Sequence, residues 1–355
     1  MRSVIRSKAP LRLGLAGGGS DVPPFVDLYG GAVLSVTINL YGYCTVEPLD
    51  EPVIDIRSAD NAFEGRYPMA PSLPDDCPAR LIRGVYNRVV RDWGPVPAPG
   101  FRIWTSNDAP AGSGLGTSST MVVTILRAFA AWMRRSPDAY ATARLAWEIE
   151  RIDLGLAGGK QDQYAAAFGG FNYMEFFRGG DVRVTPLRVS PRIADELESS
   201  MVLYYTGRSR SSAAIIREQQ KNTSAGNEVA IGAMHRIRES SVAMREALLK
   251  GDMAGLARIL ADAWEDKKKM AGAITNSVIQ EAFDTAIGAG ALSGKVSGAG
   301  GGGFMMLMVP PARKMAVVQA LGKLPGQVVP FQFTERGAHA WRVYETDKVP
   351  EVWKR

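Results

Sequence analysis

The residues best suited to chemistry sit in three glycine-rich segments, far apart in a chain of 355 residues. The central segment reads Pro110, Ala111, Gly112, Ser113, Gly114, Leu115, Gly116, Thr117, Ser118, Ser119, and it joins a strand-like stretch to an apolar helical one. Glycines let a backbone approach an anion closely, and the open N–H groups of a helix start, aided by the helix dipole, bind phosphate. The hydroxyls of Thr117, Ser118 and Ser119 add oxygen ligands for a divalent cation. The segment lacks the Gly-Lys-Ser/Thr ending of a Walker A loop, and no acidic residue follows at the distance a dinucleotide fold requires. A second segment, Ser297 to Gly303, places five glycines in six positions, Gly300 and Gly301 among them, ahead of an apolar strand. That is more glycine than a hairpin needs and costly in folding entropy. The third lies near the N-terminus, where Arg12 and Asp21 flank the turn Gly17, Gly18, Gly19, Ser20. The forked donors of Arg12 suit a phosphoryl oxygen, and Asp21 suits sugar hydroxyls.

Between these segments lie Glu150, in a helical stretch, and Asp162, beside the turn Gly158, Gly159, Lys160. Glu150 is a candidate magnesium ligand and Asp162 a candidate contact for an acceptor hydroxyl. Lys160, and Arg208 with Arg210 at the start of a helical segment, are candidates for a further phosphate. Two histidines, His235 and His339, are too isolated for a metal site or a catalytic triad.

The elements that must position these residues alternate between α and β. Ala32–Ile38, Tyr43–Val46, Phe101–Thr105 and Met201–Thr206 read as strands, as do Gly303–Val309, Gln327–Phe333 and Ala340–Tyr344. Asn172–Phe177 and Val182–Leu187, around Arg178-Gly179-Gly180-Asp181, read as a hairpin. Helices are expected over Thr120–Met133, over Tyr140–Ile152 with Leu145, Ile149 and Ile152 on one face, near Arg313–Leu321, and through most of residues 211–288 with breaks near Gly226 and Gly251. The division into domains is placed at residue 196, giving 1–196 and 197–355.

Composition narrows the function classes. A hydrophobic fraction of 46% with 22% charged residues is that of an ordinary globular enzyme. Two cysteines form neither a disulfide framework nor a metal-ligand spacing, which favours a reducing cytoplasm. No apolar run is long enough for a membrane span, and the first residues do not form a signal peptide. The net charge of +6 is spread along the chain, without the aromatic-interleaved basic stripe of a nucleic-acid binder, and fits small anionic substrates. The densest basic run, Lys267-Lys268-Lys269, is expected to be a solvated helix face.

Taken in order, the three segments resemble the motifs of the GHMP kinases, the family of galactokinase, homoserine kinase, mevalonate kinase and phosphomevalonate kinase. The likeness covers almost the whole chain. Arg12 stands at the basic position of the first motif and Asp21 at its sugar-contacting acid. Pro110–Ser119 matches the ATP-phosphate motif, with Thr117 where serine is commoner, and Gly298–Gly303 matches the third motif. The resemblance implies an α+β fold with an N-terminal ribosomal-protein-like α/β domain and a C-terminal ferredoxin-like domain. It implies ATP and Mg²⁺ as cofactors, Ser118 and Glu150 as magnesium ligands, and Asp162 as the acidic partner of the acceptor hydroxyl. Homoserine kinases lack such an acid, so Asp162 argues against that branch. Gly17–Pro24, Gly30–Leu34 and Gly158–Asn172 depart from the galactokinase pattern and resemble the kinases of heptose 7-phosphate and fucose. Fucokinases are often fused to a second catalytic domain, for which this chain has no room. Gly158–Tyr164 with Phe168–Asn172 most resembles the heptose 7-phosphate kinases, and that resemblance implies D-glycero-D-manno-heptose 7-phosphate as acceptor, phosphorylated at O1 on the way to GDP-heptose for capsules and surface glycans. Free fucose is the alternative acceptor. A silent sugar and ATP sensor is disfavoured because Ser118, Glu150 and Asp162 are all present.

Overall fold

A computed structural model describes residues 3–59, 62–207 and 212–344, apart from the side chains of residues 212 and 344. Two sheets organise the chain. The first holds β1 (Ser3–Ala16), β2 (Gly31–Leu49), β3 (Val53–Ser58), β4 (Phe63–Pro68), β5 (Gly100–Asn107), β6 (Phe171–Phe176) and β7 (Val182–Pro186). The second holds β8 (Met201–Tyr205), β9 (Ser293–Val296), β10 (Phe304–Met308) and β11 (Gln327–Val328). The last strand, β12 (His339–Tyr344), crosses back and pairs antiparallel with β1. Residue 196, where the sequence places the division, falls inside the helix Pro191–Ser199 that joins the last hairpin of the first sheet to the first strand of the second, and β12 beyond it returns to the first sheet.

The helices are α1 (Phe25–Tyr29), α2 (Arg80–Trp93), α3 (Thr117–Trp132), α4 (Ala139–Glu148), α5 (Gln161–Phe168), α6 (Pro191–Ser199), α7 (Ser212–Ser224), α8 (Glu228–Lys250), α9 (Met253–Lys268), α10 (Ser277–Gly288) and α11 (Pro311–Leu321). In the second sheet the order β11-β8-β10-β9, with helices after β8 and after β10, is the split β-α-β of a ferredoxin-like unit. The two sheets share a core in which Leu11 and Leu13 of β1 meet Leu203 and Phe304 of β8 and β10, closed by Met244, Leu248 and Leu260. A second core lies between the first sheet and α2 and α3, around Tyr86, Phe101, Phe129 and Trp132.

Several expected elements differ in detail. The two early strands are one, β2, whose first part pairs with β6 and whose second part pairs with β5. The hairpin β3–β4 and helix α2 were not foreseen, since polar and charged residues mask their alternation. Gln327–Phe333 is a strand only over its first two residues. The helix expected through Ile152 ends at Glu148 and continues as a π-helical turn, Ile149–Asp153. The wider turn rotates the chain, so Ile152 is exposed (66%) while Glu150 is buried (1%).

Two of the glycine segments fit backbone against backbone. A Cβ on Gly114 would stand 2.4 Å from the carbonyl oxygen of Ser297, and one on Gly298 would stand 2.6 Å from the Cα of Gly114. Both glycines also have positive φ, +84° and +69°. Gly114→Ala should therefore lower stability by more than the about 1–2 kcal/mol of a left-handed residue alone. Gly226→Ala, whose Cβ meets nothing within 4 Å, should cost only that strain. Thermal unfolding of the two variants checks the difference.

Candidate active site

The three glycine segments converge on one cavity of about 330 Å³. Its phosphate-binding wall is the turn from β5 into α3. The N-cap of α3 is Gly116, so no side chain caps the helix start and its first N–H groups are left for a ligand. The carbonyls of the turn face other partners. Ser113 O accepts from Phe304 N (2.9 Å), Leu115 O from Arg12 N (3.1 Å), and Gly114 O from the Arg12 Nη1 (2.6 Å) and Ser297 Oγ (2.9 Å).

Arg12, buried at 3% exposure, is the centre of this arrangement. Its Nε and Nη2 both reach Oδ1 of Asp162, at 2.8 and 2.6 Å. Asp162 stands at the start of α5, lines the cavity and remains a quarter exposed, which suits contact with an incoming hydroxyl.

Asp21 lines the cavity, and its oxygens also take donors from the protein itself. It is fully buried and accepts from Lys160 N (2.9 Å), Gln161 N (3.0 Å), Gln161 Nε2 (2.7 Å) and Gly19 N (3.3 Å). Burial raises its pKa, with the backbone donors opposing. With so many protein donors on its oxygens, Asp21 ties the N-terminal turn to the start of α5 and so holds Asp162. Ser20 is likewise structural, bonding Gly17 O, Ala32 O and Ala32 N.

Glu150 faces the cavity from the π-helical turn. Burial raises its pKa, opposed by the guanidinium of Arg151 4.0 Å away and by hydrogen bonds from Gln163 and Ser119. The hydroxyl beside Glu150 is thus that of Ser119, while Ser118 is exposed on the cavity wall. One buried carboxylate with neighbouring hydroxyls is the sparse oxygen set that magnesium takes when phosphates complete its shell. Among the described residues no group of three acidic, histidine or cysteine side chains forms an all-protein cage. Arg151, which the sequence did not single out, donates to the carbonyls of Leu156, Ala157 and Gly159 and fixes the loop leading to Asp162.

Of the other expected contacts, Gly112, Gly114, Gly116, Thr117, Ser118 and Ser119 line the cavity, as do Gly18 and Gly19. Ser113 and Leu115 point into the interior, and Pro110 is exposed outside the cavity. Gly300 and Gly301 pack on Ile274 instead, and the third segment lines the cavity through Gly298 and Ala299. The Lys160 ammonium turns away to Gly180 O (2.6 Å) and the Trp147 ring (4.7 Å). Arg208 and Arg210 lie outside the described residues.

The run Lys267-Lys268-Lys269 is only partly a solvated face. Lys268 and Lys269 pair with Glu265 and Asp266, but Lys267 is buried and lines the cavity. A second cavity of about 240 Å³ shares Thr117, Ser118 and Leu156 with the first and is walled by Ala79, Ile82 and Met121. His235 packs edge-on against Phe25 and Tyr29, and His339 sits beside Trp341, both away from the cavity.

A helix start open to anions, a buried arginine on a carboxylate and a magnesium-type oxygen set define a phosphoryl-transfer site. The family description "GHMP kinases N terminal domain" matches residues 80–170, and "GHMP kinases C terminal" matches residues 244–325. The chain is 43% identical to the D-glycero-alpha-D-manno-heptose 7-phosphate kinase of Campylobacter jejuni, over 96% of this chain and 99% of the relative. It is 53% identical to a D-glycero-D-manno-heptose 1-phosphate kinase from Bacteroides thetaiotaomicron, whose crystal structure superposes with a TM-score of 0.83 over 96% of this chain and 99% of that one. The bifunctional fucokinase/GDP-fucose pyrophosphorylase of Arabidopsis thaliana is 27% identical over 86% of this chain, which spans 30% of that protein. The chain belongs to the GHMP kinase family and is an ATP-dependent kinase.

Glu150 gives a test of how the site trades stability for chemistry. Because its folded pKa is raised, the folded protein holds this proton to higher pH than the unfolded chain, and the charged carboxylate lowers stability increasingly above its ordinary value of 4.5. Glu150→Gln should raise the melting temperature of the nucleotide-free protein at pH 7, with a gain that shrinks toward pH 4. The same variant should need more magnesium for turnover, read from a magnesium titration.

Proposed function

We propose that this kinase transfers the γ-phosphoryl group of ATP to O1 of D-glycero-D-manno-heptose 7-phosphate, giving the 1,7-bisphosphate. The observation that carries the reading is the Arg12–Asp162 pair in the cavity wall, taken together with the likeness to two heptose phosphate kinases over nearly the whole chain. In this reading the nucleoside occupies the second cavity and the triphosphate lies along the start of α3, with Thr117 and Ser118 common to both. Glu150, with Ser118 or Ser119, would hold Mg²⁺. When bound, the ion neutralises phosphate charge and aligns the terminal phosphoryl group.

The remaining work falls to the protein. Arg12 is held by Gly114 O and Asp162, and presents positive charge where negative charge concentrates during transfer. Asp162 accepts or orients the anomeric hydroxyl proton. Gly18, Gly19, Asp21 and Gln161 form the acceptor wall, with Gln161 bonded to Asp21. Arg208 and Arg210 are the cations for the distal phosphate, and Lys160 leaves that role because its ammonium faces Gly180. The enzyme works in the cytoplasm, making an intermediate of GDP-heptose synthesis for capsules and surface glycans.

Three measurements test this. Asp162→Asn should lower kcat by about 10²–10⁴ with nucleotide affinity nearly unchanged, the worth of a positioned acid–base group. In an ADP-release assay, heptose 7-phosphate should exceed free heptose, fucose and galactose in kcat/KM by at least about tenfold, since a charge-assisted phosphate contact contributes about 1.5–3 kcal/mol. Replacing Arg208 and Arg210 together by alanine should remove that advantage without changing the KM for ATP. Equal use of fucose and heptose 7-phosphate by the wild type would overturn the choice of acceptor.

A further inference from the structure

A buried lysine is the feature of the cavity that the reading above leaves unused. Lys267, on the last turn of α9, is 6% exposed, and among the described residues its ammonium contacts two backbone carbonyls, Val296 O at 3.5 Å and the closer Gly298 O. No carboxylate pairs with it among the described residues. Lys295 of β9 lies nearby, 5% exposed, with its ammonium on Leu15 O at 3.0 Å, and it too has no ion pair among them. Arg12 of β1 is the third cation of the group, and it takes the Asp162 carboxylate. Beside Lys267, Lys268 pairs with Glu265, and Lys269 and Arg236 of α8 pair with Asp266.

Asp21, Glu150 and Asp162 share the cavity, yet among the described residues none of them pairs with Lys267 or Lys295, and a buried charge is costly unless paired. The strain shows in the titration of the group. Burial, with Arg12 adding to it, pushes the Lys267 ammonium down to about 8, and burial with the charges of Lys267 and Arg12 holds Lys295 well below the ordinary value. An anion in the cavity would supply Lys267 with a partner. Lys267 stands where the third glycine segment meets the phosphate loop, since Gly298, which holds its ammonium, packs directly on Gly114. Gly114 in turn holds Arg12, whose other bonds reach Asp162. The ammonium is thus linked through backbone to both the phosphate-binding turn and the acid that meets the acceptor.

We infer that Lys267 is a second phosphoryl-binding cation of this site, which with Arg12 receives the terminal phosphoryl group of the nucleotide as it moves to the acceptor. The inference rests on the phosphoryl-transfer reading of the cavity and adds a contact from the C-terminal unit. That unit then supplies charge as well as a glycine turn, and bound triphosphate bridges α9 and the start of α3. Lys295, behind Lys267 and without a place in the cavity wall, adds positive potential and no contact.

The test compares wild type, Lys267→Met and Lys267→Arg in the full chain. Affinities for Mg-ADP and for the β,γ-imido analogue of Mg-ATP are measured by calorimetry, and thermal unfolding is followed without nucleotide. The methionine variant should lose about ten- to a hundredfold in affinity for the triphosphate analogue and less than about twofold for ADP, the range of a charge-assisted contact. Arginine should recover most of the loss. Melting of the methionine variant should be no lower than that of wild type, because a buried unpaired charge has gone. Equal losses for both nucleotides, or none, would overturn the inference. So would unchanged nucleotide affinities with a raised KM for a phosphorylated sugar only, which would give the ammonium to the acceptor's phosphate. A wild type that binds neither nucleotide would overturn the kinase reading itself, and is distinguishable from all of these.

Discussion

A guanidinium removed from water must have nearly all its donors satisfied, and in this protein that requirement falls on Arg12. Its partners come from three distant parts of the chain, Gly114 O, Ser297 Oγ and Asp162 Oδ1. Each lies on a segment that also lines the cavity or adjoins it. Satisfying one side chain therefore brings the phosphate loop, the third glycine turn and the acceptor's acid to fixed positions. A buried ion pair adds little net stability over an apolar substitute, but breaking it by removing one partner costs about 3–5 kcal/mol. The pair is best understood as fixing geometry in advance of binding. Phosphoryl transfer gains most from such positioning and charge placement.

The other charges of the site follow the same logic with less complete satisfaction. Asp21 is buried yet well supplied with donors, so it acts as a tether. Glu150 and Lys267 are buried with fewer partners, and burial shifts both toward their neutral forms. A carboxylate short of positive charge and a cation short of negative charge on one cavity are what a magnesium-phosphate ligand would complete. The ligand-free protein carries the cost of these groups, and the bound complex recovers it. The backbone makes a parallel concession, with Gly114 and Gly298 at positive φ so that two turns can touch.

Much of this was legible in the sequence because it is local. The order of glycine segments, the hydroxyls after Gly116, the strand-to-helix placement and the two carboxylates all depend on short-range spacing. Their likeness to the GHMP kinases gave the fold class and the family. The parts that were misread depend on long-range packing. Ser20 reads as a free ligand, but β2 closes around it, and Asp21, on the cavity wall, also holds the start of α5. Lys160 sits two residues from Asp162, and only the hairpin β6–β7 shows that its side chain leaves the cavity. Lys267 belongs to a run of three lysines that local charge patterning assigns to solvent, and only the packing of α9 on β9 separates it from its neighbours. The π-helical turn that aims Glu150 inward breaks the 3.6-residue period on which the expectation for Ile152 relied.

If Arg12 and Asp162 act as one unit, their contributions to turnover cannot be independent. The direct test is a double-mutant cycle on kcat/KM with Arg12→Met, Asp162→Asn and the combination, using the best acceptor of the substrate panel. The account predicts strong non-additivity, with the double variant within about tenfold of the worse single variant, as for groups that work together. Losses that multiply, so that the double variant shows the full product of the two single effects, would contradict it.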